Sequence, residues 1–299
     1  MKIIDNFSLK KLISQQLSKI SRVELKELLG LERYKCEEMS LTLDEILFSI
    51  IEFKYIGNVC LKSFWHMKSS SFVDSIYAKG RTFPTYQIYH KWYCRCGELL
   101  AYLLDLTLKP LNQGLGFIDS AKMPIGEPYR FIKSMGKGAG VGHSSTGKFY
   151  GLKLHTLIDD KGNLCNYQIT SGNIHDLTPV KNGFLDGQTG RIHGDKGYIS
   201  REVYFDLMEQ NLMFLAKPRE NMTYGSDWSF EYCIEWEKKH KKEYRKRLSI
   251  ERYFAHLKRG YNLCIKGLRS LKMAKAYIYS SLLACQMEIQ GLIKIEKII

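Results

Sequence analysis

Leu115-Gly-Phe-Ile-Asp119 is a short apolar run that ends in a carboxylate, and the reading of the chain starts from it. A carboxylate at the end of such a run is costly to bury unless it is used. Downstream, Lys148 to Ile158 alternates in part and carries β-branched and aromatic residues. Leu164 to Thr170 forms a third run after the turn Asp160-Lys-Gly-Asn163. These three runs read as consecutive hairpin strands. Asn173 to Phe184 then reads as a helix, Arg191 to Asp195 as a strand, Ser200 to Gln210 as a helix and Leu212 to Lys217 as a strand. A spacer follows, and from Arg247 onward the pattern is helical again.

Upstream of the run, residues 1 to about 110 read as helices. Leu9, Leu12, Ile13, Leu17 and Ile20 recur at helical spacing, with Asp5 or Asn6 available as a cap. Thr42-Leu-Asp-Glu45 has the form of a capping box, with Ile46, Ile50 and Phe53 behind it. Pro84 opens a third pattern carrying Tyr86, Tyr89, Trp92, Tyr93, Leu99, Leu100, Leu103 and Leu104. The pattern changes near Lys109-Pro110-Leu-Asn-Gln-Gly. The expected division is therefore a helical domain over 1–110 and an α/β domain with a helical C-terminal end over 111–299. Three strands, helix, strand, helix, strand and then helices is the order of an RNase H-like domain with a mixed five-stranded sheet.

The 299-residue chain has a formal charge of +14 and a pI near 9.3, which points to a polyanionic partner, nucleic acid first. A basic membrane-binding protein carries similar charge, but no stretch approaches the roughly 18 consecutive apolar residues of a spanning helix. The apolar stretch Leu43 to Phe53 is broken by Asp44, Glu45 and Glu52. The start, MKIIDNFSLKK, lacks the apolar core of a signal peptide, so the expected compartment is the cytoplasm. Eight cysteines are scattered without paired CxxC units, as expected of reduced thiols. Cys94-Arg-Cys96 is the one close pair; buried or idle thiols are the reading set against a zinc site, which needs four convergent ligands.

Asp119 and Asp195 end the first and fourth strands of this order, and those strands can be neighbours in a mixed sheet. Both carboxylates then emerge side by side. A third, Glu251, borders a helical stripe of Ile250, Tyr253, Phe254, Leu257 and Tyr261 that would pin its helix to the sheet. Three carboxylates at about 5 Å repel by about 3 kcal/mol per pair at an effective dielectric near 20, so a cation must offset them. An all-oxygen cluster suits Mg²⁺ or Mn²⁺. Two such ions about 3.5–4 Å apart support in-line phosphoryl displacement by water or a 3′-hydroxyl.

Lys238, Lys239, Lys241, Lys242, Arg245, Lys246 and Arg247 precede Glu251, and Arg252, Lys258 and Arg259 follow it. A solvated face or flexible arm is the plain reading of such a run. Its position beside the third carboxylate favours phosphate contacts, which position DNA without reading its sequence. Lys258 lies seven residues after Glu251, two helical turns on and nearly on the same face. Lys196, Arg247, Arg252, Lys258 and Arg259 are the candidate DNA contacts. The helical N-terminal region carries Lys and Arg on its polar faces and is a candidate DNA-docking module, with ordinary surface charge as the alternative.

Phe117-Ile-Asp-Ser120 with Pro124, Tyr150-Gly-Leu-Lys-Leu-His155, Ile169 to Asp176, Gly194-Asp-Lys-Gly-Tyr-Ile199 and Ile250-Glu-Arg-Tyr-Phe254 together resemble the ordered motifs of DDE transposases from bacterial insertion sequences. The insertion sequence 982 family is the nearest in pattern, over roughly residues 115 to 270. The resemblance implies that Asp119, Asp195 and Glu251 are the catalytic, metal-holding triad and that Lys258 is the basic residue following the glutamate. It also implies two Mg²⁺ or Mn²⁺ ions, nicking at terminal inverted repeats and strand transfer of 3′-ends into target DNA. Its double-stranded DNA partners are the element ends and the target. A homodimer on DNA and a place at the bacterial nucleoid, with no membrane partner, follow from the same activity class.

Other readings stand beside this one. A metal-dependent nuclease or resolvase of the same fold would cut without joining, and a catalytically inactive derivative would only bind DNA. Gly142-His-Ser-Ser-Thr-Gly-Lys148 nearly matches a phosphate-binding P-loop but has Phe149 where Ser or Thr is needed, and a strand follows; a flexible glycine loop between the first two strands is the simpler account. His155, His175 and His193 match no ligand spacing, which favours supporting or structural roles. Asn173 and Asp176 either support the triad or cap the following helix.

Overall fold

The structure, a computed structural model, describes residues 2–4, 6–31, 41–57, 59–73, 82–144, 147–216, 228–293 and 295–297. Cys36, Ser145, Thr146, Lys217 and the first part of the basic spacer, 218–227, lie outside them. The chain divides into two compact units, residues 1–107 with 256–299 and residues 108–255.

The first unit begins with β1 (Lys2–Ile4), α1 (Asn6–Leu17) and α2 (Arg22–Leu29). Helix α3 (Leu43–Tyr55) starts at the expected capping box: Glu45 N–H donates to Thr42 Oγ1 at 3.4 Å and Thr42 N–H to the Glu45 carboxylate at 2.8 Å. These bonds satisfy amides that the first helical turn leaves without partners. Helix α4 (Leu61–Val73) follows. The pattern read as one helix after Pro84 is two, α5 (Tyr86–Arg95) and α6 (Gly97–Asp105), which meet at Cys96.

The second unit is a six-stranded sheet with helices, the mixed α/β architecture expected, with one strand more than the sequence order suggested. Strand β2 (Gly114–Pro124) leads to α7 (Pro128–Met135) and β3 (Gly140–Ser144). The link between the first two long strands is thus a helix and a strand, not a flexible glycine loop. Strand β3 forms a hairpin with β4 (Gly147–Asp159), because Gly140, Gly142 and Gly151 let the backbones of the hairpin and its neighbours approach: a Cβ on Gly151 would meet the Met123 carbonyl at 2.1 Å. After β5 (Leu164–Ser171) the helix expected over 173–184 is confined to α8 (Leu177–Lys181). Then come β6 (Gly190–Gly194), α9 (Arg201–Glu209), capped by the Ser200 hydroxyl, and β7 (Leu212–Ala216).

The strand order is β3-β4-β2-β6-β7, with β5 also paired to β4. Strands β2, β6 and β7 run parallel, while β4 is antiparallel to β2, β3 and β5. One apolar layer joins Ile118, Leu157, Ile192 and Phe214 of the strands to Val180, Val203 and Leu207 of α8 and α9. After β7, α10 (Trp228–Lys239), α11 (Lys241–Arg245) and α12 (Leu248–Gly260) carry the chain to the end of the unit. The expected stripe is buried throughout, at Ile250, Tyr253, Phe254 and Leu257 of α12 and at Tyr261 just past its end.

The last helix, α13 (Leu271–Ile289), belongs to the first unit, as does β8 (Ile295–Lys297), which pairs antiparallel with β1. The division differs here from the expected one, in which everything after 110 formed one domain. Helix α13 is buried on nearly every side; Tyr277 stacks on Tyr93 of α5 at 5.1 Å, Ser280 shares a hydrogen bond with Tyr93, and Tyr55 donates to the Ala284 carbonyl. Gly97 of α6 faces Ala276 of α13. A helix apolar all round needs neighbours on all sides. The helical unit supplies them.

Candidate active site

Strand register brings the first two carboxylates together. The last paired step between β2 and β6 joins Phe117 to His193, and Asp119 and Asp195 each lie two residues further along. In parallel strands about 4.8 Å apart, residues at equal steps beyond a paired couple share a level and a face. Asp195 keeps an extended backbone and leads into the 3₁₀ turn Lys196–Tyr198, whose Tyr198 amide donates to the Asp195 carbonyl. Asp119 does not end its strand as expected: β2 continues to Pro124, paired with β4. It is β6 that ends there, opening the sheet beside Asp119.

The Asp119 carboxyl is pushed up to about 6 by burial and by the Asp195 and Asp176 carboxylates, against a hydrogen bond from the Ser120 amide and the nearby Arg247 guanidinium. A buried pair of carboxylates resists double ionisation. Arg247 is also within 3.5 Å of Glu251, four residues on, so one guanidinium links the third carboxylate to the environment of the first. Glu251 itself is about half exposed at the start of α12. Among the described residues, no three His, Cys, Asp or Glu side chains stand as a ready metal cage.

A second set of polar groups lies behind Asp119. Asp176 accepts from the Ser120 hydroxyl at 2.8 Å and from the Lys153 ammonium at 3.0 Å, and Lys153 also donates to the Ile174 carbonyl. Its side chain makes no capping bond to α8, the second of the two roles expected of it. Tyr198 is almost fully buried among Asp119, Asp176, Asp195 and Ser120, with no well-formed hydrogen bond to its hydroxyl among the described residues.

The three histidines do not converge. His155 pairs with Thr170 at 2.9 Å, and burial pulls its pKa down to about 4. His175 accepts the Leu177 amide at 3.2 Å. His193 is fully buried, stacks on Phe117 and bonds Glu243 at 3.1 Å. Burial holds its ring toward the neutral form, so the nitrogen facing Glu243 is the donor. Glu243 also takes two bonds from Arg191. Sequence reasoning passed over Glu243, although it is the one acid between Lys238 and Ile250.

The candidate phosphate contacts are spread out. Lys196 follows Asp195 in the 3₁₀ turn, Arg247 faces Asp119 and Glu251, and Arg252 is exposed on α12. Lys258 and Arg259 are exposed in the last turn of α12, in the part of that helix assigned to the first unit. Cys96 is buried, and Cys94 and Cys96 are both free thiols. No helix of the described residues is long and apolar enough to cross a membrane.

Residues 109–265 match a family model described as Transposase DDE domain. Among solved structures, the chain is similar to a piggyBac transposase synaptic complex with hairpin DNA, determined by cryo-electron microscopy. The TM-score is 0.53 at 9% identity, over 97% of this chain and 75% of that one. At such low identity the likeness is one of fold. A search of curated proteins returns no match.

Proposed function

Since this chain belongs to the transposase DDE domain family, we propose that it cuts DNA at the terminal inverted repeats of a mobile element and joins the freed 3′-ends to target DNA. Asp119, Asp195 and Glu251 are the catalytic carboxylates in this reading. The observation that carries it is the parallel register of β2 and β6, which sets Asp119 and Asp195 at one level where β6 ends.

The donor set fits a hard divalent cation. Asp119 and Asp195 present carboxylate oxygens only, and the raised pKa of Asp119 marks a place where positive charge would be stabilised. Two Mg²⁺ or Mn²⁺ ions, when bound, supply activation of the attacking hydroxyl and stabilisation of the leaving oxygen. Glu251 joins the aspartates by leaving Arg247. The contact is a single 3.5 Å approach in which Glu251 is about half exposed, so water replaces much of what the carboxylate gives up on leaving it. Arg247 then turns to a DNA phosphate, and Lys196, Arg252, Lys258 and Arg259 are the further phosphate contacts in this reading.

The element ends and target are double-stranded DNA, and bringing two ends together calls for a homodimer on DNA. The motif resemblance supports a source among bacterial insertion sequences of the 982 family, with the protein acting at the nucleoid. The test is a strand-transfer assay with labelled terminal DNA and Mn²⁺. Asp195→Asn is expected to abolish both cleavage and joining while retaining DNA affinity. Cleavage by the wild type with no joined product would make it a nuclease, and full activity of Asp195→Asn would refute the assignment.

A further inference from the structure

We infer that Glu243 is a positioning residue for the third carboxylate: it latches the Glu251-bearing segment to β6, the strand that leads into Asp195. The inference rests on the transposase reading above and deepens it. Glu243 Oε1 meets His193 Nε2 at 3.1 Å and Arg191 Nε at 3.2 Å, and Oε2 meets Arg191 Nη2 at 3.3 Å. One carboxylate on α11 therefore takes bonds from two residues of β6.

The position of these bonds gives them their consequence. His193 is the last residue of β6 paired with β2 and lies two residues before Asp195. Glu243 lies in α11, Arg247 in the turn that joins α11 to α12, and Glu251 in the first turn of α12, a ladder whose successive members are four residues apart. The order along this ladder is an anchor on β6, a guanidinium facing Asp119, and the third carboxylate. The anchor is shielded on its histidine side: His193 is fully buried and Tyr244 packs edge-on to its ring at 5.9 Å, while the partly exposed Arg191 guanidinium lies 5.8 Å from the Trp236 ring. A latch of this kind also explains why an acid interrupts a basic run. Charge alone would favour another lysine on a surface that meets phosphate, whereas an anion is required to hold Arg191.

Glu243 touches neither metal nor DNA in this account, so its loss should move metal binding and the chemical step and leave DNA affinity in place. The full-length protein and its Glu243→Ala, Glu243→Gln and Arg191→Met variants would be compared by Mn²⁺ calorimetry, hydrogen exchange over 248–255 and single-turnover cleavage. Glu243→Ala is expected to lower Mn²⁺ affinity and cleavage rate by about tenfold or more, the scale seen when groups that orient metal ligands are removed. Exchange over 248–255 should quicken, and DNA affinity should hold or rise. Arg191→Met should shift the same readouts in the same direction. Glu243→Gln, which keeps an oxygen for Arg191, should recover most of the loss.

Wild-type Mn²⁺ affinity and exchange in both Glu243→Ala and Arg191→Met would overturn the inference. So would a Gln variant as impaired as Ala. Should Glu243→Ala not fold, the Gln and Arg191→Met variants decide alone. Mn²⁺ binding that is indifferent to Asp119→Asn would instead overturn the transposase reading itself, which separates the two failures.

Discussion

Asp119 carries the electrostatic cost of the site. Burial and its aspartate neighbours raise its pKa from 3.8 to about 6, so the folded protein holds a proton there more tightly than the unfolded chain does. Its contribution favours folding below the unfolded pKa and is lost as pH rises through about 6. In chelator-treated protein, Asp119→Asn should therefore raise stability by about 1–3 kcal/mol at pH 8, and the difference should close below pH ~4. Thermal unfolding at the two pH values measures it. An Asn variant less stable than wild type at pH 8 would show that the carboxylate is already compensated within the protein. Lys54 presents the converse case in the helical unit. Its amine is buried without a hydrogen-bond partner among the described residues, 3.9 Å from the centre of the Tyr277 ring, and burial drives its pKa well down. Sequence pattern singled out Asp119 and Asp195, yet neither the continuation of β2 past Asp119, the buried state of Lys54 nor the bonds of Asp176 was visible in it. All three depend on which residues from distant segments surround them.

At the scale of elements, the β2–β6 pairing depends on glycine. Gly190 opens β6 with φ +114° directly against Gly114, and a Cβ there would lie 2.4 Å from the Gly114 carbonyl oxygen and 2.7 Å from its nitrogen. No flexible side chain can yield at that point. Gly190→Ala should cost about 1–3 kcal/mol from backbone strain alone, and more where the strands are forced apart. It should also weaken Mn²⁺ binding, because Asp119 and Asp195 are neighbours only through this register. Denaturant unfolding together with calorimetry tests both; an alanine variant with unchanged stability and metal affinity would show the pairing to be tolerant. The five principal strands were readable from their runs, alternation and turns. Strand β3 was not, because its glycine-rich sequence reads as a loop, and pairing with β4 is what makes it a strand.

Across the whole molecule, the two ends of the chain build one unit. The helices of residues 1–107 are completed by α13, through Tyr93 with Tyr277 and Ser280 and through Tyr55 with Ala284. Tyr261 also bonds Glu288 within the same unit. A fragment of residues 1–107 should therefore lack cooperative unfolding by circular dichroism, and addition of a 256–299 peptide should restore it. Cooperative folding of 1–107 alone would show that α13 is dispensable to that core. The sheet that carries Asp119 and leads into Asp195 lies in an insertion, residues 108–255, which includes Glu251 but not Lys258.

Local pattern determined a good deal by itself. Alternation and turn residues specify the strands, the capping box starts α3, and the order of the runs implies an α/β sheet in which the first and fourth strands are neighbours. The net charge of +14 points to a polyanion before any fold is known. Only the tertiary structure decided that α13 packs with the N-terminal helices, that Arg247 holds Glu251, and that Glu243 ties α11 to β6. The physical reason is that periodicity tells a segment which face to bury and where its charges lie. The partner that covers that face, or meets that charge, comes from a distant part of the chain and is selected by packing.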